Sequence, residues 1–305
     1  MRRACTTVLG LLTAGTLIFV LTLAPDPARA QAQRTFDSPE AAMAALLEAL
    51  QRQDDAAVLA IFGAQYADQI FGHDRDAVRD EEAGFVAAAK QSLELRPEGE
   101  GRRIAYVGPR ARRLPIPIVL SGGVWRFDTE AGIDELTNQR IGANELSTID
   151  SVRAYVDAQN EYASKDRDGD QVLEYAQHIR SSPGQHDGLY WPTEGGAARS
   201  PLGPLLADAV ESHKEGQPYN GYYYRILTRQ GSHPPGGAYY YVINGNMIAG
   251  FALIAWPAQY GYSGIMTFVV NHQGKVFEKD LGPDTAKTAA AIAYDPDATW
   301  TEVTK

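Results

Sequence analysis

Cysteine is nearly absent. Cys5 is the only one in 305 residues, and it lies in an N-terminal segment that reads as removable. The body of the chain therefore lacks disulfides, a thiolate nucleophile and cysteine metal sites. Histidine is sparse as well. His73, His178, His186, His213, His233 and His272 never fall in His-x-x-x-His or His-Glu-x-x-His spacing, which argues against a helical zinc hydrolase. There is no Gly-x-x-x-x-Gly-Lys-Ser/Thr loop, no dinucleotide fingerprint and no Gly-x-Ser-x-Gly elbow. Positive charge is short: 28 Lys and Arg face 38 Asp and Glu, a net charge of -10. Phosphate contacts need clustered cations, so nucleic acid is not an expected partner. One local basic run, Arg102, Arg103, Arg110, Arg112 and Arg113, is expected in a solvated loop, with a lipid or wall contact as the alternative.

Long apolar runs are absent except near the start. Arg2 and Arg3 precede the apolar residues 8–23, then Pro25, Pro27 and Ala28-Arg29-Ala30. A charged start, an apolar core and a small-x-small site predict a signal peptide over residues 1–30, cut after Ala30. An uncleaved anchor is the competing reading, because the run approaches the ~20 residues of a spanning helix. Cleavage leaves 25 basic and 37 acidic residues, a net charge of -12, on an exported chain that is periplasmic or secreted, without a membrane span.

The remaining chain divides by composition, with expected domains at residues 35–140 and 144–305. In the first, Ser38-Pro39-Glu40 starts a helix bearing Met43, Leu46, Leu47 and Leu50 at helical spacing. Asp54-Asp55 breaks it before a short helix ending at Gly63, and a third helix is expected near residues 80–93, with a loop at 96–101. Residues 104–107, 116–120 and 124–127 read as strands, the last two joined as a hairpin by Ser121-Gly122-Gly123. Pro115 and Pro117 suggest an edge strand. The second domain opens with a helix through Leu146, Ile149, Val152 and Val156, capped by Asn144. A second helix is expected through Leu173, Tyr175, Ala176 and Ile179, and a short one over 202–210. Strands follow at 222–227, 239–243, 248–256, 266–270 and 276–279, with Asn244-Gly245 a strong hairpin signal. Fourteen of the sixteen tyrosines lie after residue 150. The expected class is α+β: N-terminal helices packed on a curved antiparallel sheet, then a long helix packed on an antiparallel β-meander.

The segments Pro115-Ile116-Pro117-Ile118, Trp125-Arg126-Phe127-Asp128-Thr129, Arg140-Ile141-Gly142-Ala143-Asn144-Glu145 and Asp157-Ala158-Gln159-Asn160-Glu161-Tyr162 stand beside Asp187-Gly188-Leu189-Tyr190-Trp191-Pro192, Ser200-Pro201-Leu202-Gly203-Pro204, Ala255-Trp256-Pro257-Ala258 and Asp280-Leu281-Gly282. In combination they resemble the bacterial exported domain-of-unknown-function 2950 family. That resemblance implies export and brings no catalytic residue. The helices-then-sheet order of the first half is similar to nuclear-transport-factor-two-like cones, and the second half is similar to the globular heads of pseudopilin-like proteins. Fold likeness alone carries no function.

Three groups are candidates for chemistry. Asp166, Asp168, Asp170 and Glu174 alternate as oxygen ligands for calcium would, but Gln171 and Gln177 stand where such a loop needs Gly and Glu. A turn capped by these carboxylates, with Asp170 at a helix start, is the alternative; no cofactor is otherwise expected. Ser181, His186 and Asp187 could serve a hydrolase acting on an envelope substrate, although only sequence proximity joins them. Tyr190, Trp191, Asp187, Tyr223 and Tyr240 could bind an envelope glycan or another envelope protein, because sheet-borne rings stack on sugars; core packing is the alternative. The reading is an exported envelope protein, a non-catalytic binding or structural module rather than an enzyme.

Overall fold

The computed structural model describes residues 33–72, 75–167, 169–192, 199–202 and 218–304. The signal-peptide reading, Asp168 and nearly all of the expected 202–210 helix lie outside them. The fold is α+β, built on two hydrophobic cores.

The first core forms as local chemistry directs. Helix α1 (Pro39–Gln51) starts at Ser38, whose hydroxyl accepts from the Ala41 N–H at 3.0 Å, with Pro39 in the first turn. This satisfies one orphan donor where proline lacks an N–H to lose. Ala42, Met43, Leu46 and Ala49 form its buried stripe. Asp54 caps α2 (Asp55–Phe62) in the same way, and Gly63, at φ 104°, ends it. Two more helices follow, α3 (Ala67–Phe71) and α4 (Arg75–Gln91). The chain then makes an antiparallel sheet from β1 (Leu93–Pro97), β2 (Arg102–Val107), β3 (Arg112–Arg113), β4 (Ile118–Ser121) and β5 (Val124–Phe127), in the order β1-β2-β4-β5 with β3 on β2. Gly122 and Gly123, both at positive φ, close the β4–β5 hairpin between the paired residues Ser121 and Val124, as a two-residue turn requires.

Two expectations fail in this lobe. Residues 93–97 are a strand, not a helix end and loop. The prolines do not mark an edge: β4 pairs with both β2 and β5, and Pro115 and Pro117 precede its first residue, so no ladder donor is lost.

Helix α5 (Ile133–Tyr162) joins the cores. It begins at Ile133, not near Asn144. Asn144 lies inside it and donates from its side-chain amide to the Ser263 carbonyl at 2.9 Å. Ile133 enters the first core, while Val152, Tyr155, Ala158 and Tyr162 enter the second.

The helix expected through Leu173 and Ile179 is absent. Gln171 takes φ 70°, Tyr175 bridges to Met247, and β6 (His178–Arg180) pairs in parallel with β7 (Gly188–Tyr190). The buried Gln159 side chain organises this stretch. Its amide donates to the Tyr155 hydroxyl and the Ala176 carbonyl, and its oxygen accepts from the Ala176 N–H.

The second sheet contains β8 (Tyr222–Leu227), β13 (Ala252–Pro257), β14 (Met266–Asn271), β15 (Val276–Asp280) and β16 (Thr301–Glu302), all antiparallel, in the order β16-β15-β14-β13-β8. Between β8 and β13, the strands β9 (Arg229–Gln230), β10 (Tyr239–Tyr240), β11 (Val242–Ile243) and β12 (Asn246–Met247) form two small ladders of their own. The single strand expected over 239–243 is thus split. Tyr241 at the break is buried, and its hydroxyl donates to Gln230 at 3.0 Å. Asn244-Gly245 closes the β11–β12 hairpin. Helix α5 covers one face of the main sheet, where Tyr224 donates to Thr148. Arg225, the next residue, donates on the other face to the Ala289 carbonyl in α6 (Thr285–Ala291).

Tyr262, from the 259–264 loop, reaches the first lobe. Its hydroxyl donates to the Ile70 carbonyl at 3.2 Å, and the Arg140 guanidinium lies over its ring at 4.2 Å. Burial pushes its pKa up to about 12.

Candidate functional site

Helices α1, α2 and α4 stand over the first sheet and leave a cavity of about 120 Å³. Leu46, Val58, Phe62, Val78 and Leu136 supply apolar wall, and Arg112, Arg140 and Glu81 supply charge around it. Arg140 donates to Glu81 at 3.2 Å and to the Gln69 carbonyl. Arg112 is exposed and has no carboxylate partner among the described residues.

A charged cluster stiffens the cavity wall. Arg75 donates two hydrogen bonds to Asp55 and others to Glu82. The hydrogen bonds from Arg75 hold the Asp55 carboxyl below its ordinary range. Glu82 is driven the other way, because burial outweighs the same arginine. Two carboxylates on one guanidinium thus diverge, chiefly because Glu82 is the more buried and also feels the charge of Asp55.

The residues expected to carry function are spread over the second lobe. Tyr190 and Trp191 are core residues, each 3% exposed. Trp191 stacks on His186 at 4.3 Å between centroids, and Arg167 lies 5.2 Å from its ring. Tyr223 is half-buried against Trp256. Tyr240 alone of the five is an open ring, 67% exposed. These side chains do not converge on one surface.

Nor do Ser181, His186 and Asp187 form a relay. The Ser181 hydroxyl donates to the Gly188 carbonyl and accepts from the Gly188 N–H. Asp187 accepts from the backbone and hydroxyl of Ser182 at 2.7 and 2.8 Å. Among the described residues, neither hydrogen-bonds His186, whose ring packs on Trp191.

The described carboxylates of the acidic loop accept hydrogen bonds from nearby backbone and from residues 246–247. Asp166 accepts from the Gly169 and Gln171 N–H groups. Asp170 accepts from Val172 N–H and from the Asn246 amide, so it caps a turn and not the expected helix. Glu174 accepts from Met247 N–H. Among the described residues no group of three or more His, Cys, Asp or Glu is placed to hold a metal.

One polar site escaped the sequence reading. Glu145 on α5 accepts from the Ile265 and Met266 N–H groups at 2.9 and 3.0 Å, at the start of β14. The Glu278 carboxyl on β15 is raised above its ordinary value of 4.5, chiefly by burial and then by the charge of Glu145. No motif announces this pair; the register of β14 and β15 brings Glu278 to the helix. The folded state holds the Glu278 proton more tightly than the unfolded chain does, so its ionisation opposes folding at neutral pH. Glu278→Gln should therefore melt higher than the native chain at pH 7, with the gap closing as pH falls through the raised folded-state value toward 4.5 and absent below it. Melting curves across that range check this, and a gap that widens on acidification would refute it.

Among the described residues no helix is long and apolar enough to cross a membrane. Comparison with curated proteins and with solved structures gives no match in either case. A family model described as a protein of unknown function, DUF2950, matches residues 33–303, nearly the whole of the chain outside its N-terminal segment, and the chain belongs to that family.

Proposed function

We propose that this family member is an exported, non-catalytic binding protein, periplasmic or secreted, whose first lobe holds a small amphipathic anion. The observation that carries this reading is the cavity: apolar walls from α1, α2 and α4, with the exposed Arg112, which has no carboxylate partner among the described residues, in its lining. Its volume approaches the roughly 150 Å³ of an apolar cavity that takes up benzene. A ligand with one ring or a short alkyl chain fits, its carboxylate facing Arg112. The export half of the proposal rests on the charged start, apolar run and small-x-small site of the sequence. An envelope glycan or a second envelope protein would meet the exposed Tyr240, because Tyr190 and Trp191 are packed.

Calorimetric titration with benzoate and octanoate tests the cavity. Both acids should bind the native chain. Arg112→Ala should weaken them about tenfold, the loss of one charge-assisted contact. Leu136→Trp, which fills the wall, should abolish binding while the chain stays folded. Unchanged affinity in folded Leu136→Trp, or no binding of either acid to the native chain, would overturn the proposal.

A further inference from the structure

Helix α4 turns two neighbouring stripes toward open space. Val78, Glu81, Glu82 and Phe85 line the cavity of the first lobe. Arg79, Glu82, Ala83, Val86, Ala87 and Lys90 line a second space, a groove of about 330 Å³. Leu50, Gln51 and Gln53, at and just after the end of α1, form its other wall. The six α4 positions alternate steps of three and one residues, which keeps their side chains on one helical face.

That face is apolar in the middle and cationic at both ends. Val86 is 7% exposed yet belongs to neither hydrophobic core. Ala83 and Ala87 flank it and are exposed, so small side chains open the groove above a buried valine. Arg79 and Lys90 stand about three turns apart, roughly 16 Å along the axis at 1.5 Å per residue.

Neither cation is matched within the fold. Arg75, one turn before Arg79, donates to Asp55 and Glu82. Arg79 pairs with no carboxylate among the described residues, and its Nε is buried without a hydrogen-bond partner. A buried guanidinium N–H left unmade is rare and costs free energy, so it marks a place for an acceptor. Lys90 is exposed and also lacks a carboxylate partner among the described residues. Glu82 is the one carboxylate in the groove lining, and Arg75 already neutralises it.

We infer that this groove binds a linear dicarboxylate. One carboxylate meets Arg79, the hydrocarbon lies over Ala83, Val86 and Ala87, and the other carboxylate meets Lys90. With carbon–carbon bonds of ~1.5 Å, a diacid of about eight carbons spans roughly 9 Å. The long Arg79 and Lys90 side chains reach in from the two ends to close the remaining distance. A shorter diacid reaches one cation only, and a monoacid leaves the second unmet. A peptide of the same length would lay backbone N–H and C=O groups on alanine and valine side chains, which offer them no partner. Leu50 and Glu82 lie between the groove and the first cavity, and neither proposal rests on the other.

Calorimetric titration with suberate and octanoate tests the inference, made in the Leu136→Trp background that fills the first cavity. Suberate should bind. Arg79→Gln should weaken it about tenfold, the loss of one charge-assisted contact. Lys90→Gln should weaken suberate about threefold, as the loss of an exposed ion pair does, and leave octanoate unchanged, because that acid places no charge there. Ala87→Trp, at an exposed helix position, should abolish suberate binding. Melting curves establish that each variant is folded, and the Lys90→Gln comparison repeated without Leu136→Trp should give the same contrast between the two acids. No suberate binding, or full affinity in folded Arg79→Gln or Ala87→Trp, would overturn the inference. So would an equal effect of Lys90→Gln on both acids, which would show that no second carboxylate is held.

Discussion

Trp191→Ala should destabilise the protein by about 3–5 kcal/mol, the usual range for truncating a buried aromatic side chain. The ring is 3% exposed and belongs to the second core. His186 stacks on one side of it, and Arg167 approaches from another. Those neighbours are themselves fixed: the Tyr162 hydroxyl donates to the His186 carbonyl at 2.8 Å, and Arg167 donates to the Tyr162 carbonyl. Removing the ring leaves a void beside the C-terminal end of α5, where these contacts cannot collapse inward without breaking. For a chain of this size, 1 kcal/mol moves the melting temperature by roughly 2–4 °C, so a drop on the order of 10 °C is expected. A drop under about 2 °C with loss of glycan binding would instead identify the ring as a ligand contact. Melting curves and a pull-down on purified cell wall, made on the same variant, separate the two.

Local rules made much of this molecule legible. Ser38 and Asp54 start helices, Gly63 ends one, and Gly122-Gly123 and Asn244-Gly245 close hairpins, because each depends on a few adjacent residues. The errors arise where distant partners decide. Helix α5 has no single apolar stripe, because Ile133 serves one core and Val152 to Tyr162 serve the other. Gly142 and Asn144 within it resemble a break and a cap. Around Leu173 to Ile179 the spacing is helical, yet Gln159 and Met247 claim the backbone of Ala176 and Tyr175, so tertiary pairing overrides the pattern. The cavity was invisible for a related reason: Leu46, Val78, Arg112 and Leu136 come from four separate elements and form no motif. The tyrosine density left two readings open, a binding face and core packing, and Tyr155, Tyr222, Tyr241 and Tyr294 are among the largest fully buried side chains. They pack, and the hydroxyls of Tyr155, Tyr222 and Tyr241 donate to internal oxygens.

The contact between the two lobes supports a second large effect. Gly72 ends α3 at φ 55°, and a Cβ there would lie 2.3 Å from the Tyr262 ring. Gly72→Ala thus incurs about 1–3 kcal/mol of backbone strain, because φ 55° with ψ −152° is a conformation essentially reserved for glycine, and overpacking of about 1–3 kcal/mol, for a total of roughly 2–6 kcal/mol. Tyr262→Ala should lose about 3–5 kcal/mol, since the ring also carries the Arg140 stack and the hydrogen bond to Ile70. The two losses should not add. With the ring gone, the alanine methyl at position 72 has nothing to strike and occupies part of the void, so the double variant should be at least about 1 kcal/mol more stable than the sum of the singles implies. Denaturant titration of the four proteins measures this coupling. Strict additivity would mean that the Gly72 requirement lies wholly in its backbone conformation, and that Tyr262 does not rest on it in solution.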